Sequence, residues 1–60
     1  MNIMTECVRM CARIGASVCL MSNGWFCVTR ETSEVYYERL SELYSDLCAD
    51  RLNDYLLCVC

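Results

Sequence analysis

Apolar and polar positions follow a helical spacing near the N-terminus of this chain. Apolar side chains recur there every three or four residues, which is the period of one helical face. The residues concerned are Met4, Cys7, Val8, Cys11 and Ile14. Gly15 follows at the position where a glycine commonly ends a helix. The pattern favours a short helix over residues 4–14, although a strand also fits, because alternate residues of this segment are mostly apolar.

The central part of the chain contains Asn23-Gly24, a dipeptide typical of a two-residue type I′ turn. Such a turn joins two antiparallel strands, so the sequence predicts a β-hairpin over residues 16–30. With the turn closed at this dipeptide, Leu20 pairs with Cys27. Both faces of the predicted hairpin are largely apolar, and one helix covers only one of them. We therefore expect the second face to contact the N-terminal segment or a second copy of the chain.

The last third of the chain has an acidic residue at every fourth position. The acids are Glu34, Glu38, Glu42, Asp46, Asp50 and Asp54. Residues four apart are neighbours on a helix and not on a strand, so the pattern predicts one long amphipathic helix over residues 33–57. Each acid then lies ~6 Å further along the helix, and about 40° further round it, than the acid before. The predicted helix thus carries a spiral of negative charge.

These elements together predict an α+β fold in a single domain, residues 1–60. A chain of 60 residues buries only about 60% of the surface that its unfolded form exposes. We therefore expect a homodimer, formed through the spare hairpin face or the late half of the C-terminal helix. The longest uncharged stretch, residues 14–29, is too short to span a membrane, and no convincing signal peptide is present. These features predict a cytoplasmic protein.

Charge is unevenly distributed along the chain, whose net charge is −3. Residues 1–32 contain three arginines and two acids, whereas residues 33–60 contain two arginines and six acids. Affinity for a phosphate backbone comes from Lys and Arg, so the acidic half argues against nucleic acid as the direct ligand. It predicts instead a basic surface of another protein, such as one that itself binds nucleic acid. The chain is then a partial DNA mimic, because acids ~6 Å apart are sparser than duplex charges, at one per ~1.7 Å.

In size and charge the chain resembles the small acidic proteins with which phages and plasmids inhibit repressors or defence nucleases; no motif is shared. The resemblance implies an inhibitor or regulator of the antirepressor or anti-defence type, which presents its acidic helix to a basic surface of a target. The predicted partner-binding residues are Glu34, Tyr37, Glu38, Glu42, Asp46 and Asp50. Tyr37 is included because an aromatic side chain flanked by acids is a good anchor against an arginine-rich surface.

Seven cysteines suggest an alternative, a cysteine-rich metal-binding or redox-sensing miniprotein. Cys7, Cys11, Cys58 and Cys60 supply enough thiolates for a tetrahedral zinc site, although their spacings are not those of the usual zinc-binding pairs. Cys7 and Cys11 also occupy positions where core residues belong, so buried thiols are the simpler interpretation. The chain has no histidine, and a thiol enzyme needs a base. We therefore expect neither a cofactor nor enzymatic activity.

Overall fold

A computed structural model of the protein describes residues 2–57. In chain order the elements are α1 (Ile3–Arg13), β1 (Ser17–Leu20), β2 (Phe26–Arg30), β3 (Ser33–Tyr37), α2 (Leu40–Cys48) and α3 (Leu52–Leu56). The strands form an antiparallel sheet in the order β1-β2-β3. The α+β class is confirmed, but a third strand and two short helices stand where one long C-terminal helix was predicted.

The N-terminal segment is a helix with a defined cap at each end. Asn2 Oδ1 accepts hydrogen bonds from backbone N–H groups of the first turn. At the other end Gly15 has φ +74°, and the N–H groups of Gly15 and Ala16 donate to carbonyl oxygens of the last turn. These two bonds form a Schellman motif, which requires a left-handed residue and therefore favours glycine. Of the two alternatives predicted for residues 4–14, the structure has the helix.

β1 and β2 form a hairpin, but its turn differs from the predicted one. The Met21 N–H donates to the Trp25 carbonyl oxygen (2.7 Å) and the Gly24 N–H donates to the Met21 carbonyl oxygen (3.0 Å), so the loop has three residues. Gly24 has φ +92°, whereas Asn23 is not left-handed. This is the geometry of a type I turn followed by a bulge glycine. The predicted type I′ turn is wrong, and Asn23 Oδ1 instead accepts a hydrogen bond from the Trp25 N–H (2.9 Å).

The extra loop residue shifts the strand register by one position. Leu20 pairs with Phe26 instead of Cys27. A shift of one residue exchanges the faces of one strand relative to the other. The inner face contains Val18, Phe26, Val28, Val35 and Tyr37, and the outer face contains Ser17, Cys19, Cys27, Thr29, Glu34 and Tyr36. This register places the apolar side chains of the inner face where the helices pack against them, except for Leu20 at the end of β1, which shares this face but is 64% exposed.

Residues 33–37 form the third strand, where the acidic spacing predicted the first turns of a helix. β3 follows β2 through a two-residue loop in which Glu31 has φ +55°. Along β3, exposed residues alternate with residues that are partly or fully buried. Its sequence, Ser-Glu-Val-Tyr-Tyr, contains β-branched and aromatic residues that favour strands. Pairing with β2 therefore determines the local structure, and the helix predicted over residues 33–57 is wrong in its first part.

The rest of the predicted helix is divided at Asp50. α2 ends in the same Schellman motif as α1: Asp50 has φ +59°, and the N–H groups of Asp50 and Arg51 donate to carbonyl oxygens of the last turn. The chain then forms α3, which brings Leu52 and Leu56 into the core. A continuous helix would carry these leucines away from the sheet at ~1.5 Å per residue. The change of direction is thus what allows the C-terminal leucines to be buried.

All three helices contribute to a core on the inner face of the sheet. Its buried residues are Cys7, Cys11, Ala16, Val28, Tyr37, Leu43, Leu52 and Leu56. Arg30 links three parts of this layer, because its Nη1 donates to the carbonyl oxygen of Ile14 (3.1 Å) and to Oδ1 of Asn53 (2.8 Å). The guanidinium thereby fixes the end of α1 and the start of α3 to β2.

Replacement of Leu52 by alanine should strongly destabilise the protein. The Leu52 side chain is fully buried, and truncation of such a leucine costs about 2–5 kcal/mol. Urea unfolding followed by circular dichroism measures the loss. Leu57→Ala is the matched control, because Leu57 is 55% exposed and its truncation should change the free energy of unfolding by less than about 0.5 kcal/mol. Equal losses in the two variants would contradict the burial of α3.

The variants Asp50→Gly and Asp50→Ala should differ in stability, and which of the two is more stable depends on the backbone conformation at residue 50. At a left-handed residue the alanine Cβ is strained, so the glycine variant should be the more stable by about 1 kcal/mol. Within a continuous helix the order would reverse by a similar amount, because alanine is the better helix former. Both variants remove the same charge, so urea unfolding compares them directly. A more stable alanine variant would refute the break between α2 and α3.

Candidate functional site

Three of the predicted partner-binding residues lie apart from one another. Glu34 is on the outer face of the sheet, Glu38 is in the exposed segment between β3 and α2, and Asp50 is in the turn after α2. Within the four-residue series of acids, only Glu42 and Asp46 lie together on one helix. The predicted spiral of negative charge along a single helix is therefore wrong, because strand pairing and the helix break redirect the backbone.

The other three predicted residues line an open groove of about 410 Å³ beside α2. The groove residues are Tyr37, Ser41, Glu42, Ser45 and Asp46. The four that belong to α2 are one and four residues apart, so they share one side of the helix. The groove offers two carboxylates and two hydroxyls beside a phenol ring. We call it the acidic groove.

The position of the acidic groove follows from the apolar residues of α2. Leu40, Leu43, Tyr44 and Leu47 recur at helical spacing and pack into the core or against it. Their packing fixes the rotation of α2 about its axis. The side with serine and acidic residues is consequently directed away from the core and lies next to the end of β3, where Tyr37 is the last residue.

Tyr37 joins the core to the acidic groove. Its hydroxyl donates to Oδ2 of Asp46 at 2.7 Å, and its side chain is only 7% exposed. The prediction that Tyr37 is an exposed anchor is therefore wrong, because β3 turns this residue to the inner face. Burial raises the pKa of Tyr37, and the hydrogen bond to the Asp46 carboxylate raises it further. The phenol stays protonated at neutral pH and orients the Asp46 carboxylate, whose Oδ1 can accept from a donor in the groove.

Arginines of the same chain do not neutralise the acidic groove. Among residues 2–57 the one ion pair joins Arg9 and Glu6 (3.3 Å), both on α1. Arg30 is engaged elsewhere, with the end of α1 and the start of α3. The groove carboxylates therefore have negative charge available for a guanidinium or ammonium group, which supplies only donors.

Sequence reasoning identified the acids of the groove and missed its serines. A signal was present, because Ser41-Glu42 and Ser45-Asp46 repeat the same dipeptide chemistry at a spacing of four residues. On a helix this spacing places hydroxyls and carboxylates on one side. The signal was hidden by the longer series of acids, most of which does not belong to this helix.

The cysteines of the alternative interpretation do not meet in the described part of the chain. Cys7 and Cys11 are fully buried in the core, while Cys58 and Cys60 lie outside the described residues. Burial raises the pKa of both core thiols, to about 11 for Cys11, and the thiolate is the form that binds metal. Within residues 2–57, no group of three or more Cys, Asp or Glu side chains is arranged to hold a metal ion. Cys7 and Cys11 act as apolar core residues.

Comparison with known protein families, curated proteins and solved structures finds no match for this chain. In the part of the chain that the structure describes, no helix combines the length and the apolar character needed to cross a bilayer.

The buried thiols predict a loss of stability at alkaline pH. The pKa of Cys11 is about 11 in the folded chain against an ordinary value of 9.0, so the folded chain keeps a proton that the unfolded chain releases between these values. The stabilisation that comes from the protonated Cys11 thiol is fully present below pH 9.0, the ordinary pKa, and decreases above it. Cys11 alone should therefore lower the free energy of unfolding by about 2 kcal/mol between about pH 8 and pH 11.

Urea unfolding in the presence of a reductant measures this pH dependence. Cys11→Ala is the control, and its stability should fall less over the same range. The pKa values of Cys7, Cys27 and Tyr37 are also raised. These groups are present in both proteins, so the difference between the two pH profiles reports the Cys11 thiol. A decrease of equal size in the two proteins would show that the Cys11 thiol is not protected by burial.

Proposed function

We propose that the protein is a small acidic regulator or inhibitor that binds a basic surface of another protein through the acidic groove. The observation that supports this proposal is the presence of two carboxylates and two hydroxyls on one open groove, with no arginine of residues 2–57 paired to them. Like charges one helical turn apart, as in Glu42 and Asp46, repel by roughly 0.2–0.5 kcal/mol. A bound cation offsets this repulsion.

An arginine side chain of the partner suits the chemistry of the groove. A guanidinium has five N–H donors in a planar fork, and a carboxylate such as that of Glu42 can accept two of them side by side. Oδ1 of Asp46 and the serine hydroxyls can accept others. The hydrogen bond from Tyr37 holds Asp46 in place, so less side-chain freedom is lost when the partner binds.

The remaining acids contribute to the negative field around the groove. Glu38 is exposed in the segment between Tyr37 and α2, next in sequence to a groove residue, but Glu38, Glu34 and Asp50 do not line the groove. Such a field speeds the association of a basic partner, and salt weakens it. A protein that itself binds nucleic acid has a suitable arginine-rich surface. Binding through the groove does not require a homodimer, which stays a prediction.

The variants Glu42→Lys and Glu31→Lys test the proposal as a matched pair. They have the same composition and net charge, but Glu31 lies in the loop before β3, at the opposite end of that strand from Tyr37. Proteins captured from a lysate of the native host should be retained by the wild type and by Glu31→Lys, and lost with Glu42→Lys. With a purified partner, Kd should rise at least about tenfold for Glu42→Lys, equivalent to about 1.4 kcal/mol.

Two further measurements make the result specific. Amide NMR spectra of each variant show whether the fold is intact, and a partner peptide should shift signals of residues 41–46. Binding should also weaken between low salt and about 0.1 M salt, where charges are screened beyond ~10 Å. Equal capture by Glu42→Lys and the wild type, or equal loss in both lysine variants, would contradict binding through the groove.

A further inference from the structure

Cys19 and Cys27 are cross-strand neighbours on the outer face of the sheet. The register of β1 and β2 places them directly opposite each other. The Met21 N–H bonds to the Trp25 carbonyl oxygen, and pairs two residues apart in a ladder are of the same type, so Cys19–Cys27 is a hydrogen-bonded pair with Cα atoms about 5.5 Å apart. A disulfide requires a Cα separation of about 4.4–6.8 Å. The Cα separation of this pair therefore falls within the range that a disulfide spans.

The same pairing predicts that such a disulfide is easily reduced. Opposite Cβ atoms in antiparallel strands are about 4.5–5.5 Å apart, and hydrogen-bonded pairs lie at the wide end of that range. A relaxed disulfide has Cβ atoms about 3.5–4.5 Å apart. A bond at this position is therefore somewhat strained, and strained, exposed disulfides are the reversible ones.

The two thiols differ in their surroundings. Cys19 is exposed, whereas Cys27 is 8% exposed and lies between Cys19 and Tyr36, its partner on β3. The Tyr36 hydroxyl donates to Oε1 of Glu34 (2.9 Å), which lies on the same face. Desolvation raises the pKa of Cys27, and the neighbouring Cys19 thiol raises it further. Cys19 is thus the thiol that an external reagent reaches first.

We propose that Cys19 and Cys27 form a redox-active dithiol site whose oxidants are small-molecule disulfides. The Cys19 thiol loses its proton to solvent and its sulfur attacks one sulfur of the oxidant. The S–S bond of the oxidant breaks, and one small thiol leaves with a proton. The Cys27 sulfur, after losing its own proton, then attacks the Cys19 sulfur and displaces the second small thiol. Two protein thiols are oxidised to one disulfide, and one small disulfide is reduced to two thiols.

The dithiol site is separate from the acidic groove. It lies on the outer face of the sheet, whereas α2 packs on the inner side with the rest of the core. Oxidation joins β1 to β2 near the hairpin loop and leaves the groove residues unchanged. The site can therefore be present whether or not the groove binds a partner, and the two proposals can fail independently.

Peptide mapping of the full wild-type chain tests the dithiol site. The reduced protein is equilibrated with mixtures of oxidised and reduced glutathione, quenched with acid, unfolded, alkylated and digested with trypsin. Cleavage after Arg13 and Arg30 yields the peptide of residues 14–30, which contains Cys19 and Cys27 and no other cysteine. In oxidising mixtures this peptide should lack two hydrogens and carry neither an alkyl group nor glutathione. Excess reduced glutathione should restore two alkylated thiols.

Single-thiol variants test the order of attack. In Cys27→Ser, Cys19 should accumulate as a mixed disulfide with glutathione, because the second thiol is missing. In Cys19→Ser, Cys27 should stay reduced under the same conditions, because it is buried. Serine is nearly isosteric with cysteine, and circular dichroism checks the fold, while the wild-type mapping does not depend on either variant.

Three results would overturn the proposal. In one, the peptide of residues 14–30 keeps two alkylated thiols under conditions that modify the exposed Cys48. In another, wild-type Cys19 remains a mixed disulfide with glutathione. In the third, Cys19 links to a second chain, seen as a dimer on a non-reducing gel that Cys19→Ser abolishes.

Discussion

Three short helices cover one face of a three-stranded sheet, and the rest of this structure depends on that constraint. A chain of 60 residues can bury only a small core, and all three helices contribute to the same layer. Val28 of the central strand is fully buried in that layer, while the opposite face of the same strands remains mostly exposed. The strand register, the break between α2 and α3 and the position of Arg30 all serve this one layer of burial.

The acidic groove results from the same packing. α2 has one apolar side and one side of serines and acids, and burial of the first determines the direction of the second. Tyr37 makes the connection direct, because its ring belongs to the core and its hydroxyl binds a groove carboxylate. The groove carboxylates are thus presented by a helix that the core holds. Under the proposed function, this arrangement reduces the side-chain ordering that binding requires.

The exposed face of the sheet has a different chemistry from the groove. The register aligns Cys19, Cys27 and Tyr36 in one row across the three strands. Had the hairpin closed with a two-residue loop, Cys19 and Cys27 would not be direct partners, and a dithiol site between them would not follow. A single additional loop residue therefore decides which cysteines of this chain are neighbours.

The sequence by itself determined the features whose signals are local. The helical period of residues 4–14 and the cap at Gly15 predicted α1, and Asn23-Gly24 predicted that the chain reverses between two strands, though not the turn type. Glu42 and Asp46 were among the six acids that the spacing singled out, but the spacing did not separate them from the four that lie elsewhere. These features depend on interactions within a few residues, which composition and period report directly.

Only the tertiary structure decided the third strand, the strand register, the burial of Tyr37 and the division of the C-terminal helix. The comparison of Gly15 with Asp50 gives the reason. Both residues have a left-handed conformation and end a helix with the same pair of hydrogen bonds. Glycine at such a position predicts a helix end from the sequence, whereas aspartate does not. Asp50 and Glu31 adopt positive φ because the turns they form bring leucines and β3 into the core. The free energy gained by burying side chains that are distant in sequence outweighs the local conformational preference of Asp50 and Glu31. The spacing of residues along the chain gives no information about that gain.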